Sequence, residues 1–461
     1  MDFAIVGCRP ILAKTQAFRR FAGDRPLTER MPLEVRLLGM ADRVIRALGL
    51  SEGPLRGQEL ARLAQRRTGL SDFGDSSFEE PLEILLQDYE RSAELGLVGR
   101  LAARWDVVRF LTNLLRLREE EKRHPEILDQ AIDRPIFIAG MPRSGSSFLH
   151  NLIAQDPGVF VPFCWQTIHP CPLPGERPGE VRRRVGLVDR QIGHFARMAP
   201  EFPAIHPLSA RSAQECSEIT AHVFRSRRFE TTHQLAEYPR WLEAAGDLPG
   251  YGFHKRFLQH LQYRRGPGRW ILKCPEHTFS LPSIRAVYPD AGFVFMHRDP
   301  GKVLQSVAKM TEVLRRPFTR HIDRLLIGRQ VRDDWSRGAA IMVEAAGLQT
   351  GAGAILNIRY RQLTADPIAT VRAFYEHFAL PMSEEADGRF RRFVADRHSG
   401  AYGKVQYRPE EFGLDSRTEA RRFHDYIERF AVESEGSAED SGGEGRGSLV
   451  GIPATSASGA Y

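Results

Sequence analysis

Gly140-Met141-Pro142-Arg143-Ser144-Gly145-Ser146-Ser147 concentrates more chemistry than any other stretch of this chain. It fits the spacing G-x-x-x-x-G-x-S, with Ser146 where a nucleoside triphosphatase carries its lysine. Ile136-Phe137-Ile138-Ala139, a short β-rich apolar run, precedes it. Phe148, Leu149, Leu152 and Ile153 follow on one face of an amphipathic stretch that stops at Asp156-Pro157-Gly158. Strand, glycine-rich turn and helix form the setting in which such a loop cradles an anion. Successive N–H groups aim at one spot, and the helix N-terminus adds positive potential there. Ser144, Ser146 and Ser147 add hydroxyl donors, and Arg143 places a cation inside the loop. Without the lysine that reaches β- and γ-phosphates, the pattern disfavours ATP or GTP hydrolysis and its usual Mg²⁺ arrangement. Arginine holds its proton too tightly to exchange it, so Arg143 would stabilise charge rather than deliver a proton. The plainer alternative is a Gly/Ser turn that merely joins a strand to a helix.

A second cluster lies downstream in Met296-His297-Arg298-Asp299-Pro300-Gly301-Lys302-Val303-Leu304-Gln305-Ser306. Arg298 ends an apolar strand, Phe293 to Met296, at the edge where open α/β sheets bind ligands. Asp299-Pro300 opens a helix, with Ser306 about two turns into it. Arg298 and Ser306 there could share one phosphate; a local Arg–Asp pair and a buried helix serine are the alternatives.

The two clusters, in this order, resemble the superfamily of sulfotransferases that use 3′-phosphoadenosine 5′-phosphosulfate (PAPS). Pro142 to Phe148 is similar to that family's 5′-phosphosulfate loop, with Arg143 in place of the usual lysine and serines in place of two threonines. Arg298 and Ser306 match its 3′-phosphate pair. Lys273-Cys274-Pro275-Glu276-His277 resembles the segment bearing its catalytic histidine, and Tyr360 stands where the family has a nucleotide-contacting tyrosine. Thr68 to Asp75, and Gly403-Lys404 to Leu414, resemble the bacterial branch with a helical N-terminal extension, over roughly residues 35–430. The family's Arg-Lys-Gly nucleotide motif is not plain, and Lys404 is its substitute. The resemblance implies PAPS as co-substrate without a metal, and an acceptor that is a small molecule, a carbohydrate or a lipid. It implies His277 as base, Arg143 on the departing phosphate and Lys273 on the sulfuryl oxygens. Arg143, Ser144, Gly145, Ser146, Ser147, Phe148, Arg298, Ser306, Tyr360 and Lys404 would hold the nucleotide. Glu276 is a rival base, and Glu215 could face the acceptor. A structural cap on the helix near Ser280-Leu281 is the other role open to His277. A P-loop kinase, or a polyanion-binding protein that kept the fold, are the competing readings.

These residues need a scaffold. Strand signals at Ile136 to Ala139, Trp270 to Leu272, Phe293 to Met296 and Ala354 to Ile358 alternate with helical stretches. This predicts an α/β fold with a P-loop-like parallel sheet flanked by helices. Asp366-Pro367 has the cap and first-turn proline of a helix start. Residues 1–130 read as a helical N-terminal region, with apolar periodicity over Leu33 to Leu48, Phe78 to Leu97 and Trp105 to Arg118. Residues 131–432 read as the α/β domain, with a helical acceptor-side insertion over about 162–265. That insertion begins with a Pro-rich exposed loop over 162–183. Residues 433–461, rich in Ser, Gly, Ala and Glu, read as a disordered tail. Several aromatics between Phe163 and Phe257 are candidates for an acceptor cleft.

The 461 residues carry a net charge of +7. Without the acidic tail, 64 Lys and Arg face 53 Asp and Glu, or +11 for residues 1–432, a balance that suits an anionic ligand. The five cysteines, Cys8, Cys164, Cys171, Cys216 and Cys274, form no CxxC pair, and HExxH is absent, so neither a disulfide framework nor a zinc site is indicated. No apolar run reaches about 18 residues, and the N-terminus shows no secretory apolar core. The expectation is a cytoplasmic protein with no nucleic-acid partner.

Overall fold

The computed structural model describes residues 53–177, 179–266, 268–348, 355–396 and 408–435. The helix expected over Leu33 to Leu48 and the substitute nucleotide contact Lys404 lie outside the described residues. Five parallel strands form one sheet: β1 (Ile136–Gly140), β2 (Val159–Phe160), β3 (Arg269–Lys273), β4 (Gly292–His297) and β5 (Leu356–Arg359). Their order is β2-β3-β1-β4-β5. The α/β class, the parallel sheet and the flanking helices stand as read. Four strands fall where the apolar runs placed them; β2 is a two-residue edge strand, too short to show a pattern.

Alternation along the strands builds two cores, because successive side chains leave opposite faces. Phe137, Leu272 and Phe295 enter one apolar cluster, together with residues of three N-terminal helices, α1 (Gly57–Thr68), α2 (Glu79–Arg91) and α3 (Leu97–Arg123). Ile136, Ile138, Ile271, Val294, Met296 and Ile358 enter the other, against Leu149 and Leu152 of α4 (Ser146–Ile153). With both faces covered, the strands are almost wholly apolar.

Register sets the tips side by side. Ile138 pairs with Lys273, Gly140 with Met296, and His297 with Arg359. Each strand therefore ends near the next, and the loops after β1, β3 and β4 leave from one edge. Asp299 caps α5 (Pro300–Arg315) by accepting from the Gly301 nitrogen at 2.9 Å, and Asp366 caps α6 (Pro367–His377) through the Ala369 nitrogen at 2.9 Å.

The Pro-rich stretch is not simply an exposed loop. It holds a short helix, Cys164–Ile168, with Cys164 and Cys171 buried, and Glu176 pairs with Arg184 at 2.8 Å. The N-terminal helices also reach the insertion: Asp88 accepts from the backbone nitrogens of Ala236, Glu237 and Tyr238. Among the described residues no helix is long and apolar enough to cross a membrane.

Candidate active site

The loop after β1 is tightly constrained. Gly140 has φ +103°, and a Cβ there would lie 2.4 Å from the Met296 nitrogen, so only glycine lets β1 and β4 close at this point. Arg143 holds φ +60°, a left-handed conformation uncommon for a residue with a side chain. Such strain persists where surrounding structure enforces it, and it gathers at ligand sites. Ser144 spends its hydroxyl inside the loop on the Met141 carbonyl. From Ser146 the chain is helical.

The side chains around the loop fall on two sides of it. On one side Arg143 Nε donates to Ser306 Oγ at 3.1 Å, and Arg298 Nη1 donates to the Arg143 carbonyl at 2.6 Å. The Arg298 guanidinium lies 3.9 Å from the centre of the Tyr360 ring, a cation–π contact. Tyr360 also abuts the loop, since a Cβ on Gly145 would meet its Cδ2 at 3.4 Å. On the other side Lys273 Nζ donates to Ser147 Oγ at 2.8 Å and to Glu215 Oε1 at 2.5 Å, with its side chain 2% exposed. Arg143, Gly145, Ser147, Lys273, Arg298, Ser306 and Tyr360 thus form one contiguous cluster across the tips of β1, β3 and β4. Phe148, half-buried, stacks on Phe393 with 6.0 Å between centroids, at the edge of the second apolar core.

Beside Arg143 opens a cavity of about 700 Å³; Lys273 is not part of its lining but bonds to two residues that are, Ser147 and Glu215. Arg143, Ser146, Ser147, His206, Glu215 and Glu276 line it, as do Arg227, Arg228, Glu230, Asp334 and Trp335. Burial alone would raise the Glu215 carboxyl, but Lys273 together with His206 and His150 holds the group below the usual carboxylate range. Glu276 has no hydrogen-bond or ion-pair partner among the described residues. Burial, reinforced by the Glu215 charge, pushes it up to about 8. Burial also lowers His206 to about 4, despite the opposing pull of Glu215, so its imidazole is neutral at pH 7.

His277, expected as the base, does not line this cavity. It sits in the 3₁₀ turn Pro275–Ser280, where the next residue after Glu276 points the other way, into the core. It is 1% exposed, meets the Tyr251 hydroxyl through Nδ1 at 2.6 Å, and packs edge-on to Phe137 at 5.0 Å. Burial holds its imidazole well below the ordinary value. This placement predicts that His277→Ala costs roughly 2–4 kcal/mol of stability through the cavity it leaves, while kcat of the folded fraction stays within about threefold. Thermal unfolding paired with initial rates at low temperature checks this; a lost kcat with an unchanged Tm would return the base role to His277.

Several cavity residues had no signal in the sequence. Arg227, Arg228 and Glu230 belong to a charged stretch in the insertion, and His206 precedes a proline. Arg228 is held by Asp106 at 2.6 Å and Glu218 at 2.7 Å, and Arg109 joins the same two carboxylates. Helix α3 thereby buttresses the cavity wall from behind.

A family model described as "Sulfotransferase family" matches residues 135–384, more than half of the chain. The chain belongs to the sulfotransferase family. Two solved sulfotransferases share the architecture. STF1 of Mycobacterium tuberculosis is 28% identical with a TM-score of 0.71, covering 81% of this chain and 99% of that one. STF9 of Mycobacterium avium is 25% identical with a TM-score of 0.75, covering 84% and 100%. Among curated proteins, the omega-hydroxy-beta-dihydromenaquinone-9 sulfotransferase Stf3 of Mycobacterium bovis is 28% identical over 147 residues. That match takes in 31% of this sulfotransferase-family chain, and the chain spans 36% of the length of that relative.

Proposed function

We propose that this protein transfers a sulfuryl group from PAPS to a hydroxyl or amine of an acceptor held in the 700 Å³ cavity. One observation carries the reading. The lysine-less anion loop and the Arg298–Ser306–Tyr360 cluster meet at Arg143, which supports one nucleotide touching both.

The residues divide the work. The loop N–H groups and Arg143 bind the 5′ side and stabilise the charge that gathers on the departing phosphate. Arg298 and Ser306 bind the 3′-phosphate, and Tyr360 supports the Arg298 guanidinium from below. Lys273, clamped between Ser147 and Glu215 of the cavity lining, directs its charge toward the sulfuryl oxygens. Sulfuryl transfer is an in-line displacement with spread charge, so positioning and electrostatics supply most of the acceleration. As the new bond to sulfur forms, the acceptor proton passes to the Glu276 carboxylate. A buried carboxylate pushed up to about 8 is a strong proton acceptor once ionised, which suits it to that step. Glu215 holds Lys273 in place.

The cavity wall, with Arg227 bonded to Glu230 at 2.8 Å and to Asp334 at 3.0 Å, favours an acceptor that carries polar groups. By its name the curated relative acts on a hydroxylated dihydromenaquinone, which supports a hydroxyl as acceptor and keeps lipids among the classes to try. The test is incubation with PAPS and a panel of carbohydrates, hydroxylated lipids, phenols and amines, followed by mass spectrometry. The expected result is a product heavier by one SO₃ unit with release of 3′,5′-ADP. Failure of every class would count against the reading.

A further inference from the structure

The chain returns to the nucleotide side of the site after its last helix. Residues 431–435 run over the tips of β4 and β5 and engage three arginines there. Arg359 Nη1 donates to the Ala431 carbonyl at 3.2 Å. Arg361 Nη2 donates to the Ser434 carbonyl at 2.8 Å, and its Nη1 pairs with the Glu433 carboxylate. Arg298 takes the Glu435 carboxylate in a two-pronged grip, Nε to Oε1 at 2.8 Å and Nη2 to Oε2 at 2.9 Å. Glu435 is also pinned from behind, since its backbone nitrogen donates to Asp299 Oδ2 at 2.6 Å while Asp299 Oδ1 caps α5.

A paired carboxylate on an arginine fork has the geometry of a phosphate on the same fork. Two of the Arg298 donors that a phosphate would use therefore already hold an anion supplied by the chain itself. We propose that Glu435 is a built-in occupant of the 3′-phosphate position, which the nucleotide must displace, so that the segment 431–435 acts as a competitive brake on nucleotide entry. The inference rests on the assignment of Arg298 to the 3′-phosphate.

The strength of the contact fits a brake rather than a lock. The two side chains are 20% and 21% exposed, so solvent and salt weaken the pair. Being tethered, the carboxylate competes at an effective concentration set by the chain rather than by the amount of protein. The apparent dissociation constant is the intrinsic one divided by the fraction of molecules with the site open.

Glu435→Gln removes the charge and keeps the shape. Calorimetric titration of the full chain and of this variant with 3′,5′-ADP and with 5′-AMP reads the effect. The variant is expected to bind 3′,5′-ADP about three- to tenfold more tightly, with 5′-AMP affinity moved by less than about twofold. The gap between variant and parent should narrow as salt rises. Equal or weaker binding of 3′,5′-ADP by a parent-like folded variant would overturn the brake and leave the nucleotide site standing. Absence of 3′,5′-ADP binding by both proteins would instead remove the nucleotide assignment and the brake with it.

Discussion

Glu276→Gln is expected to lower kcat by about 10²–10⁴-fold, the usual worth of a positioned general base, with 3′,5′-ADP affinity within about twofold of the parent. The change is nearly isosteric and the side chain has no partner to lose among the described residues, so stability should hold. The pH profile gives an independent reading. The working form is the deprotonated carboxylate, which burial and the Glu215 charge push up to about 8. Activity should therefore rise with pH, about tenfold per unit below that value, and level off above it. A base with an ordinary carboxylate affinity would already have levelled off near pH 6. Steady-state rates between pH 6 and 9.5 separate the cases, and an unchanged kcat in Glu276→Gln would remove Glu276 from the chemistry.

Arg298→Ala should show the largest effect on binding. Charge-assisted hydrogen bonds are worth about 1.5–3 kcal/mol each, so loss of the fork should weaken 3′,5′-ADP by roughly tenfold to a hundredfold. Binding of 5′-AMP, which lacks the 3′-phosphate, should fall much less. The ratio is the informative quantity, because Arg298 also holds the Arg143 carbonyl at 2.6 Å and its removal loosens the loop for either nucleotide. Arg298→Lys keeps the charge without the fork and should recover only part of the loss. Equal losses for the two nucleotides would take Arg298 out of the 3′ site.

How far the sequence reveals this site depends on how local each signal is. The loop from Gly140 to Ser147 is legible because strand, glycine turn and helix start are neighbours in the chain, and Asp299-Pro300 announces its helix in the same way. The nearness of Arg143 to Ser306, 163 residues apart, follows from the β1–β4 register, and only the α/β alternation hints at it. Glu276 and His277 are consecutive, and in a tight turn consecutive side chains diverge. The resemblance that implies His277 as base, with Glu276 as its rival, therefore carries no sign that the fold packs His277 against Phe137 and sets Glu276 in the cavity lining. The cavity wall is poorly legible for another reason. Its residues come from short helices such as Phe202–Ile205, Ser217–Thr220 and Arg228–Thr232, which are too brief to show a period. Glu433 and Glu435 blend by composition into the acidic tail, although their carboxylates meet Arg361 and Arg298.

The central claim is that a bisphosphorylated nucleotide spans the loop and Arg298. Titration of the full chain with 3′,5′-ADP, and in parallel with ATP plus Mg²⁺, tests it most directly. The account predicts that 3′,5′-ADP binds without added metal and more tightly than the ATP–Mg²⁺ complex. Tight, Mg²⁺-dependent binding of ATP with no heat from 3′,5′-ADP would contradict it.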